Sequence, residues 1–150
     1  MSGPPDDVDP VVPRLSTLLL SDYAQVRDRL LFVSSGGISR VVQSSFPAHP
    51  RIYLALVVHL PVNTLGHSHR TLIKLKYPDH AAVIAQIEIN INLDQIAGAS
   101  PGEGINVPQA IDLAPIVFPH PGQVDVQVSI DDEPAGDLTF WMLQKQSTEK

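Results

Sequence analysis

The sequence predicts an all-β protein, an antiparallel β-sandwich of eight or nine strands with immunoglobulin-like or jelly-roll topology. Two alternating runs carry that prediction. Between Val83 and Asp94, Ile87, Ile89, Ile91 and Leu93 interleave with Gln86, Glu88, Asn90, Asn92 and Asp94. Between Gln123 and Asp131, Val124, Val126, Val128 and Ile130 interleave with Gln123, Asp125, Gln127, Ser129 and Asp131. A period of two places one dry and one wet face on each strand. Such strands belong to antiparallel sheets with one solvated face, because parallel sheets covered on both sides read as continuous apolar runs. A third observation is punctuation: Gly, Pro, Asn and Asp separate short apolar runs along the whole chain, the spacing of a sandwich or barrel.

Taken in order, strands are expected near Arg14 to Ser21, Leu30 to Ser34, Ile38 to Gln43, Arg51 to Leu60, His69 to Tyr77, Val83 to Leu93, Ala110 to Val117, Gly122 to Ile130 and Asp137 to Leu143. Residues 1–13 are acidic and rich in proline and are expected to form a disordered tail; residues 14–143 form one domain, and 144–150 a polar C-terminal tail. Leu15, Leu18, Leu19, Tyr23, Val26 and Leu30 also fit a helical stripe. The β-favouring run Leu30 to Val33 followed by Gly36-Gly37 tips that segment towards strands. The last two strands read as a hairpin around Asp131-Asp132-Glu133-Pro134-Ala135-Gly136. Ala97 to Ala110 contains Gly98, Pro101, Gly102, Gly104 and Pro108 and reads as a long mobile loop or a lid. The expected core faces are Ile52, Leu54, Leu56 and Val58; Ile73 and Leu75; Ile87, Ile89 and Ile91; Val124, Val126 and Val128; and Leu138 with Phe140.

Composition excludes several classes of function. With 150 residues the chain is long enough to bury a core without a staple, and it has no cysteine, hence no disulfide, thiolate metal site or cysteine nucleophile. A basic, apolar leader is missing, and Leu18 to Leu20 is too short to span a bilayer. A cytoplasmic location and no membrane partner are therefore expected. The net charge of −6 and the lack of any basic block argue against nucleic acid, whose affinity comes from phosphate neutralisation. Aromatics are only 5% of residues, too few for a stacking platform.

The run Leu18-Leu19-Leu20-Ser21-Asp22-Tyr23-Ala24, then Leu30 to Val33, then Gly36-Gly37-Ile38, resembles the opening of an uncharacterised family of small bacterial β-sandwich proteins. Pro121-Gly122 leading into an alternating strand and Asp131-Asp132 is similar to that family's closing hairpin. The resemblance spans most of residues 15–142 and implies strands in the ambiguous segment, with no activity attached. Asp132 stands where the family commonly has glycine, and Arg27 with Asp28 where it commonly has aspartate or glycine. Those departures bear on turn geometry.

The candidate site residues are few. His67 and His69, two apart, project from one face of a strand and form a candidate metal pair, with His59 or His80 as further ligands. The glutamate that follows such a pair in cupins is missing, and Arg70 and Lys74 oppose a cation there. On the strand Arg51 to Leu60, both faces are apolar, and the outer row Tyr53, Ala55, Val57 and His59 is the candidate interaction surface. Arg70, Lys74 and Lys76 form either an anion-binding stripe or a solvated face pairing with acids such as Glu88. Ser34-Ser35-Gly36-Gly37 lacks the lysine and helix of a phosphate loop, and Asp131-Asp132-Glu133 lacks the spacing of a calcium loop. No catalytic constellation is complete, so the expected role is a non-enzymatic interaction or structural module that binds itself or another protein, with no cofactor. The alternatives are a small metal-dependent enzyme or sensor using His67 and His69, and a carrier of a small ligand between the sheets.

Overall fold

The computed structural model describes residues 12–146. Nine strands follow one another: β1 (Arg14–Arg27), β2 (Leu30–Gly36), β3 (Arg40–Gln43), β4 (Tyr53–Pro61), β5 (Ser68–Lys76), β6 (Val83–Asn92), β7 (Gly104–Asp112), β8 (Gly122–Ile130) and β9 (Glu133–Gln144). The only helical element among the described residues is one 3₁₀ turn, Val62–Thr64. The ambiguous Leu15 to Val33 segment is thus a pair of strands. The strands form a four-stranded sheet in the order β2-β1-β4-β7 and a five-stranded sheet in the order β3-β9-β8-β5-β6.

Both alternating runs turn their apolar face towards the core. Val124, Val126, Val128 and Ile130 on β8 are at most 3% exposed. They join Leu54, Leu56, Val58 and Leu60 of β4, Ile73 and Leu75 of β5 and Phe140 of β9 in one hydrophobic cluster, so both sheets feed a common core. Burial of each such side chain contributes about 1.5–3 kcal/mol gross, largely offset by chain entropy. On β6, only Ile91 is fully buried; Ile87 and Ile89 pack against the core half-covered, because β6 is an edge strand with no neighbour beyond it.

Three expectations need correction. The sheets are not wholly antiparallel: β3 runs parallel to β9, with Arg40 opposite Trp141 and Gln43 opposite Gln144. The chain crosses from β2 to β3 through Gly37–Ser39, and no local turn constrains the direction in which so distant a pair meets. The long loop expected over 97–110 is shorter, because β7 begins at Gly104 and pairs along the whole of β4, from Pro61↔Gly104 to Tyr53↔Asp112. Pro108 within β7 obscured that strand. It is tolerated because β7 is an edge. The β8–β9 loop is a two-residue turn rather than a six-residue one: Asp131 and Asp132 both have positive φ, 51° and 68°, and Ile130 pairs directly with Glu133. That is the geometry of a type I′ turn.

The tail expected over residues 1–13 lies outside the described residues as far as residue 11, and residues 147–150 of the C-terminal tail also lie outside them. No helix of the described residues is long and apolar enough to cross a membrane.

Candidate interaction surface

The outer face of the four-stranded sheet is built around β4. Its inward row, Leu54, Leu56, Val58 and Leu60, is sealed in the core. Cross-strand partners share a face, so Tyr53, Ala55, Val57 and His59 point outward with Ser21, Leu19 and Thr17 of β1 and Asp112, Ala110, Pro108 and Asn106 of β7. This row is only partly open. Ala55 and Ser21 are 0% exposed although both face away from the core, and the two edge strands β2 and β7 come within 8 Å of one another. The sheet therefore coils over its own outer face. His59 lies against Gly104 and its Nδ1 is 2.7 Å from Asn106 Oδ1, while the Tyr53 ring meets Tyr23 edge to face at 5.0 Å. Of the candidate row, Tyr53, Val57 and His59 keep surface to offer and Ala55 keeps none.

Much of the apolar surface lies one strand further out. β1 pairs with β4 only up to Ser21, and from there to Arg27 it pairs with β2 alone. Residues 22–35 thus form a two-stranded arm closed by a second tight turn, in which Asp28 and Arg29 have φ of 52° and 63°. Tyr23 (45% exposed), Leu30 (62%) and Phe32 (49%) stand on one face of the arm, and Val26 (42%) and Val33 (38%) on the other. A two-stranded ribbon is marginally stable in water by itself, and one that is apolar on both faces has surface to cover. The sequence reading kept Leu30 to Val33 as a strand and did not assign it to the core. The available signal was the turn Arg27-Asp28-Arg29-Leu30, whose charged residues hold the tip in water.

The structure does not bring His67 and His69 together as ligands of one site. His69 is 7% exposed and both its ring nitrogens are engaged: Nδ1 lies 2.7 Å from Asp131 Oδ2 and Nε2 lies 2.7 Å from the Thr64 carbonyl oxygen. Both partners accept, so the pocket favours the imidazolium, in which both nitrogens donate. Burial by itself would lower the His69 pKa, but the hydrogen bonds to Asp131 and Thr64 and the Asp131 charge outweigh it, leaving it above the usual 6.5. Burial acts upward on Asp131, and the His69 bond, the Arg70 backbone N–H and the two positive charges bring its pKa below the usual 3.8. A nitrogen that holds a proton cannot hold a metal. His67 sits in the bend before β5, His59 is across on the other sheet, and His80 stacks near Tyr77 and His120, so the four are not brought together. Among the described residues no group of three or more His, Cys, Asp or Glu is placed to hold a metal ion.

What the cluster does instead is fasten. Asp131 also accepts the Arg70 backbone N–H at 2.9 Å, and the Arg70 guanidinium bridges Asp132 and Glu88, the latter at 3.0 Å. The knot ties β5, β6, the β8–β9 turn and the 3₁₀ turn together. It also explains aspartate where glycine would be the easier residue at positive φ: aspartate tolerates the left-handed region, and here its carboxylate has partners. The basic stripe is thus a solvated face at Arg70, as its pairing with Glu88 shows.

Two concavities lie elsewhere on the surface of the described residues. An open groove of about 470 Å³ on the outer face of the five-stranded sheet is lined by Leu72, Lys74, Gln127, Ser129, Pro134 and Asp137. A smaller one of about 240 Å³ lies beside Tyr77, whose hydroxyl donates to the His120 carbonyl at 2.6 Å and whose ring stacks on that of His120.

A family model described as a family of unknown function (DUF6941) matches residues 16–142. No curated protein matches the chain. The match spans the whole strand-rich region from β1 to the end of β9 but for a few residues, and on that evidence the chain belongs to the DUF6941 family of unknown function.

Proposed function

We propose that this protein is a non-enzymatic interaction module in which the two sheets stack as a β-sandwich and the β1–β2 arm, continuous with the outer row Tyr53, Val57 and His59, docks a protein partner in the cytoplasm. The observation that carries the reading is the arm itself. Tyr23, Val26, Leu30, Phe32 and Val33 are all more than a third exposed on a ribbon that pairs with nothing beyond β1. Covering such side chains contributes about 1 kcal/mol each at half their full burial, which is how a small apolar arm supplies affinity. The net charge of −6 supports a protein partner over nucleic acid.

The test is site-specific photocrosslinking in the native host, with a photoreactive phenylalanine analogue in place of Phe32 and, as a control, in place of Gln86 on the exposed polar face of β6. A defined crosslinked protein is expected from position 32 and not from 86. Position 32 yielding no crosslinked protein of any kind overturns the reading.

A further inference from the structure

Two histidines far apart in the sequence, His80 and His120, share the smaller hollow with Asp79 and Trp141. Proline and Tyr77 position both. Tyr77-Pro78-Asp79-His80 is a tight turn just after β5, closed by the His80 backbone N–H donating to the Tyr77 carbonyl at 3.1 Å, with proline where its fixed φ suits the turn. His120 stands between Pro119 and Pro121, which restricts its backbone. The buried Tyr77 clamps it there: the tyrosine hydroxyl donates to the His120 carbonyl at 2.6 Å, and the two rings stack at 4.0 Å. The imidazole centres of His80 and His120 are thereby 5.0 Å apart. His120 Nδ1 lies 2.8 Å from the Pro121 carbonyl oxygen, an acceptor, so in the neutral ring Nδ1 carries the proton and Nε2 keeps its lone pair. Among the described residues, no side-chain hydrogen bond takes up that lone pair or either ring nitrogen of His80.

We propose that His80 and His120 together bind one divalent transition-metal ion of the kind that imidazole selects, such as Cu²⁺ or Zn²⁺, with water in its remaining positions. Two imidazoles at metal–nitrogen distances of ~2.0–2.1 Å have ring centres roughly 4.5–5.2 Å apart for bond angles between a right angle and the tetrahedral value. The observed 5.0 Å lies in that range. The bond from His120 Nδ1 to a backbone carbonyl is the outer-shell contact that fixes the tautomer and orientation of a metal-bound imidazole. His80, which no side-chain hydrogen bond holds among the described residues, is the ligand free to turn towards the ion. Electrostatics agree: among the described residues Asp79 is the one carboxylate lining the hollow, and no lysine or arginine lines it. Imidazole ligands favour copper, nickel and zinc, whereas calcium and magnesium take oxygen. With two protein ligands, the ion keeps positions open to water or to a small donor from solution, so the site suits an exchangeable ion rather than a sealed structural one.

Trp141 is the single tryptophan of the chain and lines the hollow, so its fluorescence reports a quenching ion held there. The untagged full chain is titrated with Cu²⁺ by tryptophan fluorescence and with Zn²⁺ by NMR of the histidine rings, both in neutral buffer. Saturable quenching at one Cu²⁺ per chain is expected, and Zn²⁺ should move the His80 and His120 ring signals together while that of His67 stays in place. His80→Ala, on an exposed turn, should weaken Cu²⁺ binding ~tenfold or more, and His67→Ala should leave it unchanged. His120→Ala should match His80→Ala; if it fails to fold because the Tyr77 clamp is lost, His80→Ala decides by itself. Absence of saturable binding in both titrations, an unchanged affinity in His80→Ala, or Zn²⁺ moving other histidines in place of this pair overturns the proposal and leaves the rings as a structural stack.

Discussion

Replacing Asp131 by asparagine isolates the charge in the knot that holds the β8–β9 turn. Asparagine keeps the tolerance for positive φ that Asp131 needs at 51° and keeps an oxygen to accept from Arg70, so the change removes charge without forcing the turn to rebuild. A hydrogen bond to a charged group contributes about 1.5–3 kcal/mol. Asp131's side chain is 40% exposed, so screening reduces the loss to about 1–2 kcal/mol. The pH dependence follows from the two shifts. His69 has its folded pKa raised above 6.5, so its contribution is complete below that value and fades as pH rises through the folded pKa. Asp131 has its folded pKa lowered below 3.8, so its contribution is complete above that value and is lost as pH falls through the folded pKa. The wild type therefore gains most from the pair between these limits, and the variant should melt about 2–8 °C lower near pH 5.5 at ~2–4 °C per kcal/mol. At a pH above the folded His69 pKa, as located by its NMR titration, the gap should narrow, because the ring has there lost its second proton. Thermal melting at the two pH values, with the His69 ring titrated by NMR, is the assay. An equal gap at both pH values, or a wild-type His69 titrating below 6.5, would falsify the imidazolium assignment.

Other positions are equally open to measurement. Thr71 is 0% exposed and its hydroxyl has no partner, so Thr71→Val should stabilise the protein by about 1 kcal/mol in denaturant unfolding, and a loss of stability would mean that the hydroxyl is satisfied. Leu56→Asp, at 0% exposure in the core, should prevent folding, whereas Ile89→Asp on the half-covered edge should leave a folded protein weakened by roughly 2–3 kcal/mol; equal effects in circular dichroism would contradict the placement of β6 at the edge. A methyl group on Gly104 would come within 2.6 Å of the His59 ring and 2.9 Å of the Leu60 carbonyl oxygen, so Gly104→Ala should cost about 1–3 kcal/mol and release His59 from Asn106, visible as changed NMR chemical shifts of the His59 ring.

The strand reading held where one face of a strand is dry and the other wet. β6 and β8 begin and end within a residue or so of their expected limits, since alternation is a local signal that burial merely confirms. The strand expected at Ala110 to Val117 runs instead from Gly104 to Asp112, because Pro108 and the glycines before it look like a loop until β4 is known to lie alongside. The candidate row on β4 was legible as apolar on both faces, yet the coiling of the sheet that covers Ala55 was not, because it depends on where β2 and β7 end up. His69 illustrates the same limit in chemistry. Its spacing from His67 suggested metal, but its partners are Asp131, which is 62 residues away, and a backbone carbonyl, neither of which any local pattern reveals.

By itself, then, the sequence determined that this chain forms strands, which faces of them are dry, and where the turns are charged, because periodicity and turn chemistry act over a few neighbouring residues. Only the tertiary structure decided which strands are neighbours, that β3 meets β9 in parallel, that His69 is a clamped imidazolium, and that β2 is left with an uncovered apolar edge. Those outcomes rest on pairings between residues far apart in the chain, and the energy of such a pairing is set by what each strand finds beside it, not by the residues on either side of it in sequence.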